Sequence, residues 1–432
     1  MTSKINDYRL DGMYRQRQEG FFMQRVKLPV GVISSVQARG VASIAKTFGQ
    51  GTIHLTTRGS MEIHWLREED LPLVKRELGK VGLTSRGACG GAVRGIVCGA
   101  QGSDKFPALE TIARRLQRHF TGNPRFEHQP KKFKIGIEAD ITSGRHLIQD
   151  VGLVLTRIEE DSCRYDIWIA GGLGREPQAG FLLAKDIDER RIIPLIEAIV
   201  TVYASHAPAG KRLKHVAREI GEATLRRKIF AEPCAKEELP PINSLPESLL
   251  PPPANRQQFE VRVFAGLLAS DDLRLLADFA DFRADGALRV TADQNLAFVL
   301  AERIDGATAK MELEATGFKW TSQPASIEFR VCPGCHECLA GLAPTRDIAK
   351  TIQEAVGAEG SQLTWAISGC PNSCTQPQLA NAGIVTSRLV TGEDGNKEPR
   401  FDLFRNTGTG LGEKVGELLT IGELQEAVRR IG

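Results

Sequence analysis

No run of about 18 apolar residues occurs in this chain, so the usual signal of a transmembrane helix is missing. Excess charge is missing too: 56 Lys and Arg against 53 Asp and Glu leave a formal net charge of +3. That balance argues against a polybasic membrane anchor or a nucleic-acid tract. Residues 1–18 are polar and lack the apolar core of a secretory signal. The expectation is a soluble, cytoplasmic protein with neither membrane nor nucleic acid as a partner. Also missing is a G-x-G-x-x-G fingerprint opening a strand–helix unit, so flavin or nicotinamide is expected on a separate donor.

What the chain does have is enough apolar sequence, 41% over 432 residues, for two or three domains. It also has nine cysteines, an unsuitable disulfide framework for a reducing compartment. Cys89, Cys98, Cys163 and Cys234 are scattered, whereas five fall between Cys332 and Cys374, a clustering that points to a metal site.

Two divergent repeats organise the chain. Val26-Lys27-Leu28-Pro29-Val30-Gly31 is similar to Val261-Arg262-Val263-Phe264-Ala265-Gly266. Each block is followed, 25 residues after its glycine, by a second pair of similar segments, Thr56-Thr57-Arg58-Gly59-Ser60-Met61 and Thr291-Ala292-Asp293-Gln294-Asn295-Leu296. Equal spacing across both pairs is harder to reach by chance than either match. Each copy reads as strand, helix, strand, with helices over 35–48 and 270–282. Around the first turn, over 52–66, Ile53 and Leu55 share a face, as do Met61, Ile63 and Trp65.

The second repeat is fainter. Residues 134–140 are similar to 364–370, and Asp166-Ile167-Trp168 leads into Gly171-Gly172-Leu173-Gly174 as Asp402-Leu403-Phe404 leads into Gly408-Thr409-Gly410-Leu411-Gly412. Apolar strands alternate with helical stretches at 108–119, 192–204 and 345–356, and a proline-rich connector lies at 240–253. The order is half-domain, α/β unit, half-domain, α/β unit.

Cys332 and Cys338 form C-x5-C, and Cys370 and Cys374 form C-x3-C in Ser368-Gly369-Cys370-Pro371-Asn372-Ser373-Cys374. Four thiolates on two loops suit a cubane cluster, one per iron. Other readings stay open on pattern alone. Cys332, Cys335, Cys370 and Cys374 would serve structural zinc. Cys332-Pro333-Gly334-Cys335-His336 satisfies the c-type haem pattern, which needs export. Cys332, Cys335 and Cys338 begin a bacterial ferredoxin run, but Leu342 stands where its fourth cysteine belongs. Buried cysteines without metal remain the plain alternative.

C-x5-C followed by Gly-Cys-Pro-Asn-x-Cys resembles the signature of the siroheme sulfite and nitrite reductases, and the alternating repeats resemble their architecture from about Phe21 onward. The resemblance implies that Cys332, Cys338, Cys370 and Cys374 hold a [4Fe–4S] cluster, and that Cys374 also ligates siroheme iron, with Asn372 beside it as a cofactor contact. It leaves Cys335 as an extra thiol. Siroheme carries many carboxylates, and both substrates are anions, so arginine and lysine must line the pocket. Arg58, in the Thr-Thr-Arg turn, resembles the substrate arginine; its repeat counterpart is Asp293, so one active site is expected. Arg94 lies in a segment similar to the family's second arginine segment, with Gly95 where asparagine is expected. Lys132 and Lys134 resemble the Arg-Lys-Phe-Lys segment of sulfite reductases, and alternation puts both opposite Phe133. Gly171, Gly172 and Gly174 resemble the glycine loop near siroheme, and Lys211, Arg212, Lys214 and Arg218 form a basic cluster suited to its carboxylates. For each cation taken singly, a solvated surface role is the ordinary reading.

The reading is an α+β protein. Two ferredoxin-like half-domains, 1–90 and 259–325, pair into one pseudo-symmetric unit. Two α/β units accompany them: 91–237 for siroheme and 326–432 for cluster and siroheme, with a linker at 238–258. The implied activity is sulfite reduction to sulfide by six electrons, from ferredoxin or a separate flavoprotein or reductase subunit. Lys134 favours sulfite over nitrite, because nitrite reductases of the family tend to carry asparagine there. The rivals are nitrite reduction to ammonium, the related oxygenase of cobalamin synthesis, and a non-catalytic electron-transfer subunit.

Overall fold

The computed structural model describes residues 8–99, 105–159, 162–240, 257–320, 327–392 and 395–431. The proline-rich connector expected at 240–253, and most of the linker at 238–258, lie outside the described residues.

The first repeat builds two five-stranded sheets joined by exchange. One runs Met13–Arg15, Phe21–Val26, Ser60–Arg67, Thr52–Thr56, Leu267–Ala269; the other runs Lys319–Trp320, Gln258–Arg262, Leu296–Val299, Ala287–Val290, Val32–Ser34. Each copy thus gives a short strand to the other: Leu268 lies opposite Ile53, and Ile33 opposite Leu288. The same kink precedes both exchanged strands, with φ of 52° at Val30 and 55° at Ala265, each followed by a glycine of positive φ. A β-branched residue there is uncommon, which marks the kink as imposed by the exchange. The helices Ser35–Phe48 and Ser270–Arg283 then cover the sheets. The first starts at a capping box in which Ser34 accepts from the Gln37 amide and Gln37 answers. Ala38, Val41, Ala45, Leu273, Leu276 and Ala280 from these helices meet Ile53, Leu55 and Leu288 in one core. Each fully buried aliphatic side chain contributes about 1.5–3 kcal/mol, so shared burial is what holds the half-domains together.

Trp65 departs from its expected face. Its φ of 66° breaks the alternation after Ile63, and Leu66, fully buried, takes the core position instead. The local cause is a hydrogen bond from the Trp65 amide to Gln16 Oε1 at 2.6 Å.

The second repeat gives two sheets of matching topology. Val97–Cys98, Ile135–Glu138 and Val151–Ile158 are parallel, and Cys163–Ile169 and Phe181–Asp188 continue antiparallel. Glu328–Val331, Thr364–Ser368, Ala382–Thr391, Lys397–Arg405 and Glu413–Leu419 repeat that order. The helical stretches appear as Phe106–Phe120, Glu189–His206 and Thr345–Ala355. Each sheet has its own apolar core. The N-terminal hairpin clasps the first cysteine loop: the Arg17 amide donates to the Glu337 carbonyl at 2.9 Å and its guanidinium to the Gly341 carbonyl at 2.7 Å.

Candidate functional site

Both cysteine pairs leave the carboxyl ends of adjacent parallel strands, where Val331 lies beside Ile367. The loops touch at Gly334 and Gly369. A side chain at Gly369 would put its Cβ 2.8 Å from the Gly334 Cα, so glycine is required for the approach. The Gly369 amide donates to Cys332 Sγ at 3.2 Å. Charge interactions link Cys374 to Cys332, Cys338 and Cys370. Cys335 shares the first loop, but it is not among those partners, and its amide is engaged by the Ala343 carbonyl at 2.9 Å. Burial raises the thiols, Cys338 to about 11, so a metal must displace their protons. Among the described residues no three His, Cys, Asp or Glu side chains close on a single ion. Four thiols on two touching loops suit a cubane, with one thiolate per iron. Cys370 is buried, while Cys374 is exposed.

The cations gather on the open side of Cys374. Lys132 and Lys134 flank fully buried Phe133, as alternation expects. Burial lowers both lysines. Lys134 falls well below the ordinary value through burial, then Lys132, Arg58 and Arg212, while Cys374 opposes the fall. Cys374 also acts on Lys132. Arg58 donates to Gln149 Oε1 at 3.1 Å and to the Gly95 carbonyl at 2.9 Å. Burial, then Arg94, pulls its guanidinium down to about 9. Arginine keeps its proton at neutral pH, so the depression measures the pocket's demand for a counter-anion. Arg94 is 8% exposed and gives one nitrogen to the Gly90 carbonyl at 2.8 Å, while buried Nη1 has no partner. An orphaned buried guanidinium nitrogen beside clustered cations fits an anionic occupant.

The basic cluster divides. Lys211 and Arg218 are exposed, and Arg218 pairs with Glu176. Arg212 is buried against Asp150, donating at 2.8 Å and 3.2 Å. Lys214 is buried on the carbonyls of Gly172, Leu173 and Glu176. Both shape the glycine loop. A Cβ at Gly172 would lie 2.3 Å from Arg212 Nη1, and one at Gly171 would lie 2.0 Å from the Leu147 carbonyl. The chain's own packing therefore demands these two glycines; Gly174, with φ of 107°, has open space beside it. Asn372 is exposed beside Cys374.

Several contributors escaped the sequence reading. Asp150 neutralises Arg212 and also accepts from the Lys134 amide at 2.8 Å. Gln149 receives Arg58. Tyr14 and Cys89 act on Arg94. Thr57 Oγ1 donates to the Cys374 carbonyl at 2.9 Å. Thr57 lies in the Thr-Thr-Arg turn, but the contact it makes, like those of the others, is recognisable only once the sheets are assembled.

Residues 14–81 match the family model described as nitrite/sulfite reductase ferredoxin-like half domain, and residues 96–237 match the nitrite and sulphite reductase 4Fe-4S domain. The latter match falls on the first α/β unit, whose sheet topology the cysteine-bearing unit repeats. Among curated relatives, sulfite reductase [ferredoxin] 2 of Mycolicibacterium paratuberculosis is 25% identical over 98% of this chain and 84% of its own. Ferredoxin–nitrite reductase of Synechococcus elongatus is 28% identical over 95% and 83%. The solved structure of Mycobacterium tuberculosis NirA protein superposes with a TM-score of 0.81 at 22% identity, covering 97% of this chain and 84% of that one, which shows the fold. No described helix is long and apolar enough to cross a membrane. The cofactors of these reductases, a [4Fe–4S] cluster and siroheme, fit the residues present: four interacting thiols for the first, an exposed Cys374 facing under-neutralised cations for the second. Both matched models describe nitrite and sulfite reductase domains, and over nearly its whole length the chain is similar to nitrite and sulfite reductases.

Proposed function

We propose that this chain is the catalytic subunit of a sulfite reductase, forming sulfide with electrons from ferredoxin. The observation that carries the reading is Lys134, half-buried beside Lys132, Arg58 and Arg212 and within the field of Cys374. Near neutral pH sulfite is divided between dianion and monoanion whereas nitrite is only a monoanion, so each added cation in the pocket favours sulfite.

Cys332, Cys338, Cys370 and Cys374 would hold the cluster, with Cys374 also on the siroheme side, and the two groups would supply stepwise electron delivery to a bound oxyanion. The protein's part is charge and protons. Arg58 and Arg94 bring fixed guanidinium donors to the substrate oxygens. Lys132 and Lys134 have lowered affinity for their protons and act as general acids as oxygen leaves as water. Arg212, neutralised by Asp150, shapes the pocket wall and adds little net charge.

Nitrite reduction is the second reading, supported by the named nitrite reductase relative at 28% identity. Anaerobic purification, an absorption spectrum, and parallel turnover of sulfite and nitrite with a reduced viologen decide between them. A siroheme spectrum with sulfite preferred in kcat/KM supports the proposal. Nitrite preferred overturns the substrate assignment. Iron and sulfide without siroheme favours an electron-transfer subunit.

A further inference from the structure

We propose that Thr57 is a positioning residue that fastens the Cys374 loop to the turn carrying Arg58, so that the shared cysteine and the anion-holding arginine keep one spacing. The inference rests on the cofactor and anion roles given above. Two consecutive side chains of one turn reach different units. Arg58 reaches Gln149 and the Gly95 carbonyl in the first α/β unit. Thr57, 6% exposed, donates its hydroxyl to the Cys374 carbonyl oxygen at 2.9 Å in the second.

Gln376 backs this contact. Its Nε2 lies 3.5 Å from the Thr57 carbonyl, and its Oε1 accepts from Arg145 Nε and Arg330 Nη1, each at 3.4 Å. Those arginines flank Asp293 at 2.6 Å and 3.7 Å. The turn of the second half-domain, which carries an acid in place of Arg58, thus anchors the far side of the first copy's site. The loop needs such anchoring. Ser373 and Gln376 adopt φ of 52° and 61°, a left-handed conformation that non-glycine residues hold only when their surroundings impose it. Thr57 acts through the Cys374 main chain, to whose carbonyl its hydroxyl proton is committed.

Thr57→Ala tests the tether, and alanine suits the turn because Ala292 occupies the equivalent place in the second copy. Full-length protein purified anaerobically is compared with Thr57→Ala and Thr57→Ser. The readouts are hydrogen exchange of amides 373–379 and the electron paramagnetic resonance spectrum of the reduced cluster. Thr57→Ala is expected to speed that exchange roughly five- to tenfold, the worth of one hydrogen bond, and to alter the spectrum at unchanged iron and sulfide content. Thr57→Ser is expected to restore both. Native exchange in Thr57→Ala, or no recovery with serine, overturns the proposal. Faster exchange in protein that holds the cluster but no siroheme upholds the tether while the cofactor reading falls.

Discussion

Arg58 and Asp293 occupy the same position in two copies of one turn. The Thr56 hydroxyl accepts from the amides of Arg58 and Ser60 at 3.3 Å and 3.2 Å; the Thr291 hydroxyl accepts from the amides of Asp293 and Asn295 at the same two distances. The backbone is therefore conserved across the repeat while the charge is inverted. Arg58 faces neutral acceptors and keeps its charge for a ligand, whereas Asp293 is satisfied by Arg145 and Arg330. Arg58→Gln should lower kcat/KM for the oxyanion by roughly 10²–10³ through loss of a preorganised cation. Steady-state viologen assays measure it, and a loss under threefold would remove Arg58 from the site.

Lys134→Asn separates substrate choice from cofactor assembly. The variant should bind siroheme and cluster as before, lose about 10²-fold or more in sulfite turnover, and lose far less in sulfite binding, because a general acid acts mainly in the transition state. Nitrite turnover should fall less. Equal losses for the two anions would remove Lys134 as the discriminator.

The repeat, the paired half-domains and the cysteine set were legible in the sequence because each is a spacing: 25 residues from glycine to turn, alternation around Phe133, and two short cysteine intervals. Asp150, Gln149, Thr57 and Gln376 were not legible, since their partners are distant in sequence and most of them lie in other units. Thr57 and Cys374, for instance, are 317 residues apart. A further constraint on Gly171 and Gly172 was not legible either: the atoms pressing on them are the Leu147 carbonyl and Arg212. Trp65 failed alternation because Gln16, just past the Met13–Arg15 strand, captured its amide.

The depressed lysines also predict a pH profile. In its proposed role Lys134 reacts as the ammonium, and its pKa lies well below the ordinary 10.5, chiefly through burial. As pH rises through that lowered value the free enzyme loses its cation and proton donor, so kcat/KM for sulfite should fall on an alkaline limb below 10.5. Lys134→Arg keeps its charge throughout and should move the limb upward, even where the peak rate is lower. An unmoved limb would assign it to another group.

Within the cysteine loops the prediction is one of dispensability. Cys335→Ser should retain full iron and sulfide content and a native reduced-cluster spectrum. Cys338→Ser should lose the cluster, because Cys338 interacts electrostatically with Cys374 and Cys370. Iron and acid-labile sulfide analysis of anaerobically purified protein reads both. Cluster loss in Cys335→Ser together with retention in Cys338→Ser would exchange their roles.

Asp150 is where stability and site geometry meet. Its side chain is fully buried, and that of Arg212 is 6% exposed, so removing one charge leaves the other without compensation in a low dielectric. Asp150→Asn should cost about 3–5 kcal/mol, read from the midpoint of urea unfolding, because breaking a buried pair is far dearer than replacing it whole. Adding Arg212→Met should recover most of that loss. Stability regained in the double variant would still leave function impaired. Asp150 also holds the Lys134 amide at 2.8 Å, and the Arg212 guanidinium lies 3.2 Å from the Gly171 carbonyl, so both substitutions loosen the wall that supports Lys134 in its proposed role. A double variant with native stability and native kcat would show that the pair serves folding alone; recovery of stability without recovery of kcat would show that it also positions the lysine.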